Sequence, residues 1–332
     1  MTLLVGSSGA RRPRTPAAGR SRGLHAARRT RGSLAHPAGE GGGRHLARAL
    51  AAAAAFTLLT GFGPYRAEGL GANALGVADA VVASGSGTTA LYANPAGMSS
   101  TRQQVLSGGF VRNPLQGSSA LHVASVDSTS DWGLAAGAGY VSDTNWMLDH
   151  PQRTGNDLRL GLAAGTASDA GRLQVGVAAR RVDINHAGHG ITGWTGDAGV
   201  AAAFGPLRLG AVYRNAMRVD PIETPRRIAT GFGLAGEQIL VEVDGSWNVD
   251  PGSGPIYRAG AAYQFGVEEG IQVRAGYVWD EGTPTHFAHV VTGGLSYRTP
   301  RMSVDLSAGV GLRDPEVIAA IGFVWVMPYD SN

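Results

Sequence analysis

Two histidines three residues apart, in the run His186-Ala-Gly-His189, have the spacing of a metal-binding pair in a loop. Zinc needs at least a third protein donor, and no such partner is identifiable in the chain. Solvated loop histidines explain the pair. No Gly-x-Ser-x-Gly elbow presents a nucleophilic serine, and the glycine-rich run Gly85-Ser86-Gly87 lacks the lysine of a phosphate loop. A hydrolase on a barrel wall would need serine and histidine on neighbouring lipid-facing positions. His122 and His289 are both expected to face outward, with Ser125 in poor register against them. The chain therefore reads as a non-enzyme, and no residue pattern implies a cofactor or a metal.

A second set of chemically capable residues is spread more widely. Arg159, Arg172, Arg208, Arg227, Arg258 and Arg274 recur at positions that alternate with glycine, as do Asp197, Glu242, Asp244 and Asp305. Glycines such as Gly161, Gly176, Gly199, Gly210 and Gly231 share their parity. Charges among small residues on one face need partners or water. An arginine–carboxylate ladder around a hydrated interior meets that need, and the small residues leave room for a solute path or for a plug.

The elements that position these residues are strands. In 238–249, Ile239, Val241, Val243 and Trp247 fall on one face, with Glu242, Asp244, Ser246 and Asn248 on the other. The same period of two runs through 271–280 and 302–313, which marks strands with two different faces. Strands are expected near 104–112, 118–126, 131–142, 157–166, 172–184, 194–204, 207–215, 226–235, 238–249, 256–265, 271–280, 287–298, 302–313 and 317–327. Fourteen is an even number, and about ten residues suffice for a tilted strand to cross a bilayer. Short turns rich in Gly, Asp, Ser or Pro alternate with longer connections at 143–156, 185–193 and 216–225. On the apolar face, Tyr140, Trp194, Tyr213, Trp247, Tyr257 and Trp279 sit at one strand end. Trp132, Phe204, Tyr263, Phe265, Tyr297 and Trp325 sit at the other. Two aromatic belts flanking an apolar band mark two membrane interfaces. The fold class is all-β, a closed 14-stranded antiparallel transmembrane barrel over 104–332.

Composition agrees. The chain has 332 residues, 51 of them Gly, and no Cys, which excludes a disulfide scaffold and thiolate metal sites. Its mean hydropathy of −0.03 is too polar for a helical membrane protein but suits a barrel with a polar lumen. The pI of 9.4 misleads. Residues 1–48 hold ten Arg and one acid, a net +9, so with +3 overall the rest of the chain carries −6. An acidic folded part argues against nucleic acid as a partner. Arg44 and Arg48 precede an apolar run over 49–63, too short to span a membrane but suited to a secretory signal. Residues 1–67 are thus expected to be a leader and signal peptide, with a cut near Ala67, and the barrel to lie in the outer membrane.

Residues 68–103 do not alternate, and in a barrel with short turns they go to the lumen or to the periplasm. The segment ends Ala90-Leu-Tyr-Ala-Asn94-Pro95-Ala96-Gly97-Met98. It resembles the N-terminal hatch of FadL-type outer-membrane transporters of long-chain fatty acids and other hydrophobic compounds, which are fourteen-stranded and carry an Asn-Pro-Ala motif. It is also similar to the related PorV-type barrels associated with protein secretion. The resemblance implies that Asn94, Pro95, Ala96 and Gly97 belong to a hatch that gates the lumen. It implies one of two partners beside outer-membrane lipid, a hydrophobic small molecule or a secreted or envelope protein. The outer loops are brief for the family, with only 143–156, through Trp146, Met147 and Leu148, offering apolar surface, and Ser84-Gly85-Ser86-Gly87 stands where the family's acidic pair would be.

Overall fold

The computed structural model describes residues 71–328, apart from 115–116, 146–152, 187–188, 221–223, 251–253, 268, 282–288 and 313–316. The expected leader over 1–67, the start of the hatch segment and the tip of the 143–156 connection lie outside the described residues. So do part of the His186–His189 loop and the last four residues.

Fourteen antiparallel strands form one closed sheet. They are β1 (Gln103–Asn113), β2 (Ser118–Asp127), β3 (Leu134–Asn145), β4 (Arg153–Ser168), β5 (Gly171–His186), β6 (His189–Phe204) and β7 (Leu207–Arg214), followed by β8 (Arg227–Ala235), β9 (Ile239–Asn248), β10 (Ile256–Phe265), β11 (Gly270–Asp280), β12 (His289–Arg298), β13 (Met302–Gly311) and β14 (Val317–Pro328). Each strand pairs with its sequence neighbours, and β1 closes on β14 in a register running from Gln103–Pro328 to Arg112–Ala319. Closure matters because a bilayer core offers no water to an unpaired backbone N–H or C=O. With both edges joined, the wall leaves none of its ladder open.

The alternation sets the two faces. Leu160, Val175, Val241, Val243 and Ile271 point outward and are each about half exposed, while their even- or odd-numbered neighbours are buried. The aromatic belts fall where alternation placed them, with Trp247, Tyr257 and Trp279 in a chain of ring contacts 5.9–6.3 Å apart. At the other end Trp132 stands 86% exposed in the turn before β3.

Two expectations need correction. The connection at 185–193 is strand at every described residue, and 143–156 is strand over 143–145 and 153–156. β4, β5 and β6 each run 16 residues, beyond what a tilted crossing requires. Past Ala179 the outward positions of β5 become Arg181 and Asp183, but the inward ones remain Val182 and Ile184, both at 5% exposure or less. The sheet thus leaves the lipid without losing its pattern, and polar outward residues mimic a loop in the sequence. Of the three, 216–225 remains a connection between β7 and β8. The second correction is His122, which faces the lumen at 8% exposure between outward Leu121 and Val123. Its ring lies where a side chain on Gly71 or Gly109 would stand, so two glycines make its space.

Inside the wall lies the segment before β1. It forms α1 (Gly71–Leu75), an irregular stretch over 76–86, α2 (Gly87–Ala93) and a 3-10 helix (Pro95–Ser99). Ala80, Ala90, Leu91, Ala96 and Met98 are completely shielded. The barrel therefore has a plug as its core.

Replacing Val243 with arginine places a cation on the lipid face near mid-wall. Urea unfolding in lipid vesicles should show a loss of about 2–4 kcal/mol; a loss below about 1 kcal/mol would mean that this face does not meet hydrocarbon.

Candidate functional site

The inward glycines decide what the lumen holds. A Cβ on Gly176 would come within 2.5 Å of Pro95 C and Ala96 N. On Gly210 or Gly231 it would meet the backbone at Val82–Ala83, and on Gly260 or Gly276 the backbone at Val77–Ala78. Contacts below 3 Å are not tolerated by real side chains, so these positions admit plug main chain because they carry hydrogen alone. Of the two uses expected for small inward residues, the structure selects the plug.

A backbone that is neither helix nor strand still needs its polar groups paired when buried. Here the wall supplies the partners. On β9, Asp244 Oδ2 accepts from the N–H groups of Val81 and Val82 at 2.8 and 3.0 Å. Glu242 Oε1 and Oε2 accept from Ala83 and Ser84 at 2.6 and 3.0 Å. Four successive plug N–H groups thus end on two adjacent carboxylates, 1% and 3% exposed. Leaving any one of these buried N–H groups unpaired would cost about 1–3 kcal/mol.

Asn94 joins the pieces. It ends α2 and starts the 3-10 helix, with Pro95 at a first-turn position where a missing N–H costs nothing. Its Oδ1 accepts from Ala96 N, and its Nδ2 donates to Val82 O at 2.9 Å and to Val200 O of β6 at 3.0 Å. One side chain therefore ties helix, irregular stretch and wall together. Ala96 packs fully buried beside Gly176, and Gly97 sits against the Gly85 carbonyl, where a Cβ does not fit.

The carbonyl end of α2 meets arginines. Arg159 donates to Tyr92 O at 3.2 Å, with its guanidinium 4.9 Å from the centre of the Tyr92 ring, and Arg214 donates to Ala93 O at 2.8 Å. Cations at a helix C-terminus complement its exposed carbonyls. Arg159 also contacts Asp157 at 3.1 Å and Asp197 at 3.5 Å, and Arg180 contacts Asp157 at 2.6 Å. This is the expected arginine–carboxylate ladder, running across β4, β5 and β6. Below the plug, toward the short turns, Arg274 pairs with Asp305 at 2.9 Å and also reaches Asn73 of α1. Ser303 donates to Asp305 at 3.1 Å, and Ser307 donates to Ala72 O at 2.6 Å.

The remaining predicted residues are inward but nearer the rims or the plug's flank. Arg172 and Arg208 stand at the turn end, and Arg227 at the loop end, where it donates to Asn248 at 2.8 Å. Arg258 lies among the charges around Asp79, a plug residue in the left-handed region at φ 58°. Burial pushes the Asp79 carboxyl up to about 6, against the opposing pull of Arg258 and Arg214. Asp157, Arg180 and Asn73 were not singled out from sequence. The first two share the inward parity of Arg159 and were legible there; Asn73 carries no local signal. Among the described residues no cluster of three potential metal ligands occurs.

At the loop end the inward residues include Val111, Val141, Val182, Ile184, Val290 and Ile318, all 7% exposed or less, together with the ion pairs Asp143–Arg153 and Asp157–Arg180 and with Arg227. At the turn end they include Arg172, Arg208, Gln272, Arg298 and Ser303.

No protein-family model matches the chain, and no curated protein matches it in sequence. Solved structures do match in fold. The monoaromatic hydrocarbon channel CymD superposes with a TM-score of 0.58 at 13% identity, over 80% of this chain and 100% of that one. The Ralstonia pickettii toluene transporter TbuX gives 0.55 at 16%, over 80% and 100%. The P. putida toluene transporter TodX gives 0.54 at 14%, over 75% and 97%. At such identities the likeness is one of fold, and it bears out the architecture that the resemblance to FadL-type barrels implied.

The paired substitution Glu242→Gln and Asp244→Asn keeps the shapes but replaces one acceptor oxygen of each group with an NH2 donor facing the plug N–H groups. Limited proteolysis of the barrel in detergent should then cut within 77–86 at least about tenfold faster, since a buried N–H left unpaired costs about 1–3 kcal/mol. An unchanged cutting rate would show that the carboxylates do not hold the plug.

Proposed function

We propose that this chain is an outer-membrane barrel that passes small hydrophobic solutes passively, with the plug over 71–100 as its gate. The observation that carries this reading is how the plug is held. It fills the lumen through discrete hydrogen bonds to the wall, from Asn94, Glu242, Asp244, Arg159 and Arg214. Such contacts can break in sets without unfolding the wall, whose own ladder is complete.

Short turns on one side and longer connections on the other follow the outer-membrane pattern, which supports a loop end outside and a turn end in the periplasm. The barrels that share this fold are hydrocarbon and toluene transporters by name. Small monoaromatic hydrocarbons are accordingly the solutes we put first. Long-chain fatty acids, which the sequence resemblance also allowed, require the same gate and a longer apolar path.

Transport needs no catalytic group in this scheme. Asn94 acts as the latch between the two halves of the plug, Pro95 fixes the bend after it, and the glycine collar lets the main chain slide or lift without side-chain collision. The arginine–carboxylate ladder keeps the upper wall rigid while the plug moves.

Cells whose outer leaflet is lipopolysaccharide, expressing the full chain, should take up labelled toluene faster than cells without it. Asn94→Ala should change that rate at least about threefold, because it removes three hydrogen bonds, to Val82, Val200 and Ala96, of about 1 kcal/mol each. A folded, heat-modifiable barrel that leaves toluene uptake at the background rate overturns the transport reading.

A further inference from the structure

The turn end holds a cavity of about 510 Å³ between the plug and the ends of β4 to β7. Its walls are plug residues 83–86 and 100–101, the turn over 167–171, and inward positions of β5, β6 and β7. That volume lies in the range of small-molecule sites.

Two arginines dominate its chemistry. Arg172 of β5 and Arg208 of β7 are each paired in register with Ala203 of β6. They flank a single methyl group, about 10 Å apart at the main chain by strand spacing, and both face inward. Arg208 is oriented by its Nη1, which donates to the carbonyl of Leu207 at 2.9 Å and to that of Gly205. Among the described residues neither arginine forms an ion pair. Arg159, Arg180 and Arg274, by contrast, each hold a carboxylate. The one acid on the cavity wall, Asp169, sits exposed in the β4–β5 turn and pairs with neither.

Gln174, also on the cavity wall, is 6% exposed and donates to Ser99 at 3.3 Å, which leaves its second amide hydrogen available. Two guanidinium groups and an amide therefore line a cavity whose one acid, Asp169, is exposed in the turn and pairs with neither arginine. The rest of the lining is small, with Ala83, Ala167, Ala170 and Ala203 beside Ser84, Ser86 and Ser168.

We infer that this cavity is a binding site for the carboxylate of a small organic acid, with Arg172 and Arg208 as its two cationic contacts. Arginine matches a carboxylate in a fork geometry that a water-filled cavity does not satisfy. The alanines accept a short alkyl or aromatic body. The inference deepens the transport reading and rests on it, because it adds amphipathic acids to the solutes and puts their last stop at the turn end.

The test is titration of the full chain in detergent micelles with benzoate, and with benzyl alcohol as its neutral counterpart. Benzoate should bind saturably and at least about tenfold more tightly than the alcohol, as one charge-assisted pair contributes. Arg172→Ala with Arg208→Ala should weaken benzoate about tenfold or more and leave benzyl alcohol unchanged, while Arg172→Lys with Arg208→Lys retains part of the affinity. Added salt should weaken benzoate alone. Equal binding of acid and alcohol, or a double alanine variant that binds benzoate like the native chain, overturns the site. Toluene uptake separates the two readings, since it reports the gate and is indifferent to these arginines.

Discussion

The four successive N–H groups of Val81 to Ser84, received by Glu242 and Asp244, are the contact on which the rest depends. A chain segment that is neither helix nor strand cannot be buried at membrane depth unless its main chain is paired by protein. Three oxygens of the two acids accept its four N–H groups. Arg159 and Arg214 supply donors for the carbonyl end of α2, and Asn94 bridges the interval between. Remove this pairing and the plug becomes a set of unsatisfied polar groups in a small lumen. With it, the plug is the core of the barrel.

The wall is shaped to allow that pairing. Fourteen strands enclose more space than inward side chains fill, and the glycines at 176, 210, 231, 260 and 276 let plug backbone approach wall backbone directly. The outward face obeys a separate demand, apolar in the middle and aromatic at both rims. Because alternation assigns the two demands to different residues, lipid and plug place no conflicting requirement on any one position. That separation explains how a chain of modest hydropathy lives in a membrane.

Much of this was legible in the sequence, and the failures have physical causes. All fourteen strands lie where the period of two put them, because each alternation is enforced by lipid on one side. Above the lipid that enforcement ends on the outside only. Arg181 and Asp183 then resemble a loop although Val182 and Ile184 continue the strand inward. His122 was assigned outward, but the hydrophobic pair Leu121 and Val123 on either side of it fixes β2 the other way. The inward charges were identified by parity. What they hold was not, since the partners of Glu242 and Asp244 are main-chain N–H groups, which leave no trace in a side-chain pattern. Asn94 was marked only by resemblance; the structure shows its two amide donors ending on Val82 and Val200.

The account stands on the plug being a moving part of the solute path, and the absence of cysteine from the chain permits a clean test. A Cβ on Gly322 of β14 would lie 3.5 Å from the Ala72 Cβ of α1, within the range of a disulfide. Ala72→Cys with Gly322→Cys therefore ties the start of the plug to the wall, while its end is already continuous with β1. Toluene uptake should fall to background in the oxidised barrel and return on reduction with dithiothreitol. Uptake that is equal in the oxidised and reduced forms would contradict the gate.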